Sequence, residues 1–527
     1  MKSIWPLGLA GVLLFSIAPQ TEATADAEPT STITLYEQHC GSCHGNDRLG
    51  RMGPALLPGN LSRLNKKKAI QTITQGRSAT QMPAFEKTLT PPQITALTDY
   101  LYTPPKEQPD WTLNDIKASH TVPVPMDQLP EKPVYKADMM NLFVVVELGD
   151  HHVTLLDGDR FKPIHRFPSR YALHGGPKYS PDGRFVYFAS RDGWITQYDL
   201  YSLQVVAEIR AGINTRNLAI SHDGRFLMAA NYLPHNLVLL DARELKPLKT
   251  IEARGENGQT SRVSAVYTAP PRGSFIAAMK DIKEVWEIPY HEVPVSDYAS
   301  WVHDYRQESG EGNALKTQFP IRRIVTRDYL DDFFFDPDYR HLIGTSRDSG
   351  KSRGMVVNLD VRREIAEIPM AGMPHLGSGI TWDYQGREVM ASPNISKGMV
   401  SVIDMADWTV IKTIETLGPG FFMRSHEQTP YAWTDVFFGP KNDAVHVIDK
   451  KTLDIVKTLR PMPGKNAAHV EFTKDGRYVL LSVWDMDGAL IVYDANTLKE
   501  IKRLPMKKPS GKYNVWNKIS YSRGTSH

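Results

Sequence analysis

The chain of 527 residues is longer than an average single domain, so we expect at least two domains. Its formal net charge of +3 is close to neutral, which gives no support for nucleic acid or an anionic membrane surface as a partner. The overall composition is that of an ordinary globular protein.

The first 25 residues have the pattern of a secretory signal peptide. Lys2 precedes an apolar run over residues 4–19, which is too short to span a bilayer comfortably. Small residues occupy cleavage-type positions at Ala23, Ala25 and Ala27, so we predict cleavage after about Ala25 or Ala27. An uncleaved anchor is the alternative. No later apolar run reaches membrane length, and we expect the mature protein to have no membrane span.

The only two cysteines of the chain lie in the segment Cys40-Gly41-Ser42-Cys43-His44. Thiolates at this spacing can add to the two vinyl groups of one haem, and the adjoining imidazole then reaches the iron. A disulfide or a thioredoxin-like pair is the alternative, but neither needs the following His. The segment therefore predicts one covalent haem c, held by Cys40 and Cys43, with His44 as an iron ligand. Behind a signal peptide, such a haem indicates the bacterial periplasm.

Residues 30–105 follow the order of a small class I-type cytochrome c domain. A helix is predicted over 64–74 and a closing helix over 91–102, where Ile94, Leu97 and Leu101 recur at helical spacing. Two prolines, Pro104 and Pro105, end the second helix. The Pro-rich, polar residues 106–137 are predicted to be a linker.

The sixth iron ligand is predicted to be Met82, in the segment Gln81-Met82-Pro83-Ala84-Phe85 just before the closing helix. A His/Met ligand pair raises the reduction potential, which suits an electron acceptor. Ordinary core packing is the alternative for Met82, and Met52 is the second candidate for the ligand.

The remainder, residues 138–527, shows an all-β repeat. Short alternating strands followed by a turn recur at intervals of roughly 40 to 70 residues. Eight copies occur, of which the fourth is degenerate: 153–157, 195–199, 237–241, 285–288, 356–360, 400–404, 445–449 and 490–494. Asp-Gly turns, as in 179–187, separate paired apolar runs. The pattern predicts an eight-bladed β-propeller, or seven blades if the fourth copy is not one, with an insertion over 289–322.

A cytochrome c domain followed by such a propeller resembles the cytochrome cd1 family, in which the propeller binds haem d1 non-covalently in its central channel. The resemblance covers nearly the whole mature chain and predicts a two-domain protein, α plus all-β. It is carried by local segments: 171–174, 180–184, 191–193, 262–265, 372–377, 482–484 and 511–515.

The chain departs from the nitrite reductases of that family, which present two distal histidines to the substrate. The matching segments here, 329–334 and 391–394, contain no His. The resemblance is therefore to the members that oxidise a propionate side chain of dihydro-haem d1 to the acrylate, the last step of haem d1 biosynthesis. Two alternatives are a nitrite reductase with an altered distal site and a non-catalytic haem d1 carrier.

The resemblance implies His174 as axial ligand of the bound tetrapyrrole iron. It places His375 and His469 on the distal side as possible bases, because a neutral imidazole accepts a proton near neutral pH. Tyr513 is predicted to hydrogen-bond a carboxylate. Three arginines lie in segments similar to cofactor-contacting ones and suit the carboxylates of the macrocycle: Arg191, Arg216 and Arg262.

The expected partners follow from the same resemblance. They are dihydro-haem d1 as substrate, an external electron acceptor such as a cytochrome, and the nitrite reductase that receives haem d1. The covalent haem c would take electrons out of the second site, the reverse of its task in a nitrite reductase.

Overall fold

A computed structural model describes residues 31–61, 64–77, 81–107, 109–291, 319–345 and 354–521. The predicted signal peptide and most of the predicted insertion at 289–322 lie outside these residues. The helices are Thr32–Tyr36 (α1), Ser42–His44 (α2), Lys66–Gln75 (α3), Pro91–Leu101 (α4), Leu113–Ala118 (α5) and Val515–Ile519 (α6). A π-helical turn, Glu37–Gly41, joins α1 to α2.

The helices of the N-terminal domain begin and end at sequence signals. Asn65 accepts a hydrogen bond from the Lys68 amide at 2.9 Å, so α3 begins two residues later than predicted. Thr90 and Gln93 form a capping box at the start of α4, which ends one residue earlier than predicted. The apolar face of α4 packs against α1 in one core that contains Tyr36.

The described residues between Leu142 and Asn514 form eight four-stranded antiparallel sheets, which confirms the eight-bladed propeller. Blades 1 to 7 each use four consecutive strands. They are Lys178–Tyr179, Phe185–Ala189, Trp194–Asp199 and Gln204–Arg210 (β4–β7); Asn214–Ile220, Phe226–Leu233, Asn236–Asp241 and Pro247–Glu252 (β8–β11); Val263–Ala269, Ser274–Met279, Glu284–Pro289 and Arg322–Val325 (β12–β15); Asp332–Phe335, His341–Thr345, Gly354–Asn358 and Arg363–Ile368 (β16–β19); Ile380–Tyr384, Arg387–Pro393, Met399–Asp404 and Val410–Glu415 (β20–β23); Met423–Ser425, Tyr431–Asp435, Val445–Asp449 and Ile455–Leu459 (β24–β27); Ala467–Phe472, Tyr478–Val483, Gly488–Asp494 and Glu500–Met506 (β28–β31).

Blade 8 is built from both ends of the propeller. Leu142–Glu147 (β1), His152–Asp157 (β2) and Lys162–Pro168 (β3) precede blade 1, and Pro509–Asn514 (β32) adds the fourth strand. The register pairs Phe143 with Asn514 and Val144 with Tyr513. The C-terminal strand therefore closes the ring and removes the exposed edge of β1.

The degenerate fourth repeat belongs to a complete blade, blade 3. Residues 285–288 lie in β14, which pairs with β13 and β15. Its strand ends in Pro289 instead of Asp, while all six of its residues are buried. The cores lie between neighbouring blades, as where Tyr187 and Ile195 of blade 1 meet Leu218 and Leu227 of blade 2.

The segment predicted to be a linker lies along blade 1. Ile116 of α5 is fully buried in the core between blades 1 and 2. Trp111 Nε1 donates a hydrogen bond to the Arg210 carbonyl at 2.8 Å, and Thr121 pairs with Glu208 as an isolated bridge. None of the helices among the described residues is long and apolar enough to cross a membrane.

Replacing Phe143 by Ala tests the closure of the ring. Phe143 is fully buried and packs with Leu480 and Leu490 of blade 7, so the change leaves a cavity between blades 7 and 8. We expect a loss of about 3–5 kcal/mol in the free energy of unfolding, measured by urea denaturation. Ile501→Ala, at a residue 52% exposed on β31, is the matched control and is expected to change stability by less than about 0.5 kcal/mol. Equal effects of the two changes would contradict the packing described here.

Candidate active site

The N-terminal domain presents the side chains needed to hold haem c. Cys40 and Cys43 are both partly exposed and are not joined in a disulfide. The ring of His44 is buried, and its Nδ1 lies 2.8 Å from the Pro54 carbonyl, so Nδ1–H donates there and Nε2 is left as an electron-pair donor. Burial lowers the pKa of His44, which favours the neutral ring that a metal requires. A Cβ atom on Gly53 would come within 2.5 Å of this ring.

Met82 lies where a class I-type cytochrome needs its second axial ligand. It is half-buried and packs against the core of Tyr36, Ile73 and Leu97. Its carbonyl accepts a hydrogen bond from the Arg77 amide at 3.2 Å, which anchors the loop that follows α3. These contacts are compatible with the predicted thioether ligation and also with core packing, so ligation stays a prediction.

Replacing Met82 by Ala separates ligation from packing. If Met82 binds the iron, the variant loses the methionine–iron charge-transfer band of the oxidised protein, and its haem c potential falls. The matched change Met52→Ala is expected to leave both unchanged. Absorption spectroscopy and a redox titration measure the two properties. The reverse pattern would assign the ligand to Met52.

A cavity of about 810 Å³ lies at the propeller axis, with residues of both domains in its wall. The innermost strand of each blade, or the loop directly before it, contributes to this wall. The contributions from blades 1 to 8 in order include His174, Arg216, Ser264, Asp332, Gly377, Arg424, His469 and Tyr513. On the other side, α3 and the residues after it cover the cavity with Gln71, Thr72, Gln75, Gly76 and Arg77.

His174 has the geometry of a metal ligand in this cavity. Its Nδ1 is 2.8 Å from the carbonyl of Arg216 and donates there, so Nε2 is an acceptor. The Nη1 of Arg216 lies 2.6 Å from each of the two ring nitrogens, so it is not aligned with the Nε2 lone pair. Burial, followed by the charges of Arg191 and Arg216, holds the pKa of His174 well below its ordinary value. The ring is therefore neutral at pH 7, which suits ligation.

His375 lies in the cavity wall between two acceptors. Its Nδ1 is 2.6 Å from the Phe421 carbonyl, and its Nε2 is 3.4 Å from an Asp332 carboxylate oxygen. The ring also packs against the Phe421 ring at a centroid distance of 3.9 Å. These contacts fix the orientation of His375 and engage both ring nitrogens.

His469 contrasts with His375 because its Nδ1 is buried without a hydrogen-bond partner. The residue is only 2% exposed, and its backbone has a φ of +55°. Its amide donates to Asp435 at 3.2 Å, and its carbonyl accepts from the Lys512 ammonium. Burial and the charge of Lys512 hold the pKa of the imidazole well below its ordinary value. A neutral, unpartnered ring nitrogen thus lies beside the cavity.

Tyr513 lies next to His469, with 5.3 Å between the ring centroids. Burial raises the pKa of Tyr513 to about 12, so its phenol is protonated at neutral pH and can donate a hydrogen bond. The predicted distal residues His375, His469 and Tyr513 therefore all line the same cavity.

Cations dominate the polar part of the wall. Five line it: Arg77, Arg191, Arg216, Arg424 and Lys518. Among the described lining residues, Asp332 is the one carboxylate. Burial, followed by the charge of Arg216, lowers the pKa of Arg191 to about 9, which reflects the concentration of like charge. Such a wall favours an anionic guest, and a haem d1-type macrocycle carries carboxylates that suit it.

Arg262 lies outside the cavity wall, in contrast to Arg191 and Arg216. It is 3% exposed and forms a fork with Asp281, with nitrogen–oxygen distances of 2.8 and 2.6 Å. Its Nη1 also donates to the Asn60 carbonyl of the N-terminal domain at 3.2 Å. The geometry gives Arg262 a contact between the domains and no contact with the cavity.

Three kinds of wall residue were not predicted from the sequence. Arg424 follows Phe421 and Phe422 in the segment that enters β24, and Lys518 lies in α6. The rings of Phe421, Phe422, Phe437 and Trp484 form an apolar face, with centroids 4.7 to 5.9 Å apart in successive contacts. The available signal was the pair Phe421-Phe422, two residues before Arg424. Its position inside the ring depends on the closed propeller.

Two known protein families match parts of this chain. Residues 137–518 match the family described as Cytochrome D1 heme domain, and residues 27–101 match Cytochrome C oxidase, cbb3-type, subunit III. The chain belongs to the cytochrome d1 haem-domain family. The resemblance drawn from the local segments is therefore confirmed.

Three relatives differ in their sequence identity to this chain. A dihydro-heme d1 dehydrogenase of Pseudomonas aeruginosa is 58% identical over 522 residues, which are 99% of this chain and 99% of the relative. A nitrite reductase of Stutzerimonas stutzeri is 26% identical, with 97% of each chain covered. The Protein NirF of Pseudomonas aeruginosa is 31% identical and covers 70% of this chain and 90% of its own length.

Among solved structures, one described as dihydro-heme d1 dehydrogenase NirN in complex with DHE is also similar. It has a TM-score of 0.78 and 58% sequence identity, and it covers 92% of this chain and 99% of its own. The similarity spans both the cytochrome c domain and the haem d1-type propeller.

His174→Ala tests the axial ligand. We expect the affinity for dihydro-haem d1 to fall at least 10-fold, because the iron loses its protein ligand while the carboxylate contacts remain. The haem c spectrum should not change. Titration in visible light, under anoxic conditions, measures both in one sample. His165→Ala, at a half-buried residue of β3 outside the cavity, is the control. Unaltered affinity in His174→Ala would remove this assignment.

Proposed function

We propose that this chain is a dihydro-haem d1 dehydrogenase, an oxidoreductase that converts a propionate side chain of dihydro-haem d1 to the acrylate. The similarity to the dehydrogenase of that name, at 58% identity over 99% of both chains, carries this proposal. The cation-lined cavity with a neutral His174 supports it, because both features suit a carboxylate-bearing iron macrocycle.

The reaction has a simple balance. The side chain –CH2–CH2–COO⁻ becomes –CH=CH–COO⁻ and releases two protons and two electrons. Haem c, which would be held by Cys40, Cys43 and His44, would accept electrons one at a time. Two equivalents of an external one-electron acceptor, such as a soluble cytochrome, then take up the two electrons.

The side chains of the cavity bind and orient the substrate and accept its proton. His174 orients the substrate through its iron, and Arg191 and Arg216 bind carboxylates. We assign the base to His469, because its ring is neutral and the residue lines the cavity. Tyr513 donates a hydrogen bond to the substrate. His375 positions the aromatic face through its contacts with Phe421 and Asp332.

The proposal places the reaction in the periplasm, on the evidence of the signal-peptide pattern and the haem c motif. The product haem d1 is the cofactor of a nitrite reductase, which is therefore proposed as the receiving partner. The identity to a nitrite reductase is 26%, less than half of that to the dehydrogenase, and this difference favours dehydrogenation over nitrite reduction.

An anoxic assay tests the proposed activity. Purified protein is mixed with dihydro-haem d1 and a one-electron oxidant, and the visible spectrum is followed while nitrite consumption is measured in parallel. We expect conversion to haem d1 without nitrite turnover. Turnover of nitrite at the rate of a reductase would refute the proposal, and binding without conversion would favour a carrier.

His469→Asn tests the assigned base. Asn tolerates the φ of +55° at this position, so the fold should be preserved. We expect the conversion rate to fall 10²- to 10⁴-fold, because a positioned base contributes about that factor. Substrate affinity should change little. The matched change His165→Asn should have no effect, and an unchanged rate in His469→Asn would shift the assignment to another group.

A further inference from the structure

Two lysines meet at the boundary of the main cavity and a smaller one. The smaller cavity, of about 120 Å³, is lined by Lys178 of β4 and by Lys518 of α6. Pro177, Tyr267 and Lys518 line both cavities, so the two spaces adjoin each other there. Lys178 follows His174 by four residues in the sequence.

Both ammonium groups lie over aromatic rings. Lys178 Nζ is 5.6 Å from the centroid of Tyr267, and Lys518 Nζ is 5.5 Å from that of Tyr513. Among the residues that the structure describes, no carboxylate forms an ion pair with Lys178 within 4.0 Å. Burial lowers the pKa of Lys178 to about 8. Burial, followed by the charges of Lys178 and Arg424, lowers the pKa of Lys518 to about 7.

The nearby carboxylate of Glu471 does not balance these charges. Its Oε1 accepts hydrogen bonds from the Phe472 amide at 2.9 Å and from Asn517 Nδ2 at 3.0 Å. The Glu471 carboxylate acts on Lys518 and Arg424, and Asp435 acts on Arg424 as well, whereas burial alone shifts the pKa of Lys178. The Nε of Arg424 is buried without a partner. This end of the cavity carries excess positive charge.

Lys512, in β32 of blade 8, is a nearby lysine with a structural role. It is fully buried, and its ammonium group donates to the His469 carbonyl and to Ser482 Oγ, the latter at 2.8 Å. Its hydrogen bonds are made within the fold. Lys178 and Lys518 both line the smaller cavity, which leaves room for a guest beside them.

We propose that Lys178 and Lys518, together with Arg424, form a subsite that binds the carboxylate of the side chain undergoing dehydrogenation. The inference rests on the proposed function and deepens it. Tyr513 connects the subsite to the base, because its ring is 5.3 Å from the His469 ring and 5.5 Å from Lys518 Nζ. A carboxylate held here places the adjoining CH2–CH2 unit on the side of the His469 ring, which lines the cavity.

The subsite is tested with Lys178→Met and Lys518→Met and with two probes, dihydro-haem d1 and its fully methyl-esterified form. Met keeps much of the length of the Lys side chain and removes the charge. We expect each change to raise the Kd of the free acid about 10-fold and to leave the Kd of the ester within about twofold. Lys499→Met, at an exposed lysine before β31, is the matched control and should change neither Kd.

Wild-type protein gives an independent measurement that needs no variant. Esterification should weaken binding to the wild type at least 10-fold, whereas equal binding of acid and ester would overturn the subsite. Equal weakening of acid and ester binding in the Lys variants would also overturn it, because a structural role would affect both probes. Lys178→Arg and Lys518→Arg retain the charge and should restore at least part of the lost affinity.

Failure of the subsite is distinguishable from failure of the proposed function. If the wild type converts dihydro-haem d1 while the Lys variants bind it normally, the dehydrogenase stands and the subsite falls. If the wild type binds the substrate without converting it, the proposed function falls, and the affinities still decide whether the lysines bind a carboxylate.

Discussion

The pairing of β32 with β1 is the constraint on which the rest of the propeller depends. It joins strands separated by most of the chain and completes blade 8, so that eight inner strands face one axis. Tyr513 belongs to this closing strand, and Lys518 follows it in α6. Part of the cavity wall is therefore formed only when the ring is closed.

Closure concentrates charge around one cavity. Cations from blades 1, 2 and 6 and from α6 line the same cavity as Asp332, the one carboxylate among its described lining residues. Burying unpaired charge is unfavourable in the free protein, and an anionic macrocycle relieves that cost on binding. The same surroundings keep His174 and His469 neutral, so one electrostatic arrangement favours both metal ligation and proton acceptance.

The N-terminal domain completes the cavity from the other side. Residues of α3 contribute to the wall, and Gln81 donates a hydrogen bond to the Leu148 carbonyl of the propeller. Arg262 adds a contact to Asn60, which explains its burial outside the cavity. The protein thus brings its haem c domain against the substrate space, as an electron acceptor for bound substrate requires.

The sequence by itself determined the haem c segment, the order of the cytochrome helices and the eight repeats. These features are local: a five-residue motif, helix caps and strand-turn periodicity act over short stretches of chain. Only the tertiary structure decided that Arg424 and Lys518 line the cavity while Arg262 pairs with Asp281. The direction of a long charged side chain depends on its neighbours across blades, and no spacing along one strand contains that information. The unpartnered Nδ1 of His469 also could not be predicted from the sequence. Whether a ring nitrogen has a hydrogen-bond partner depends on all the residues packed around it in the folded protein.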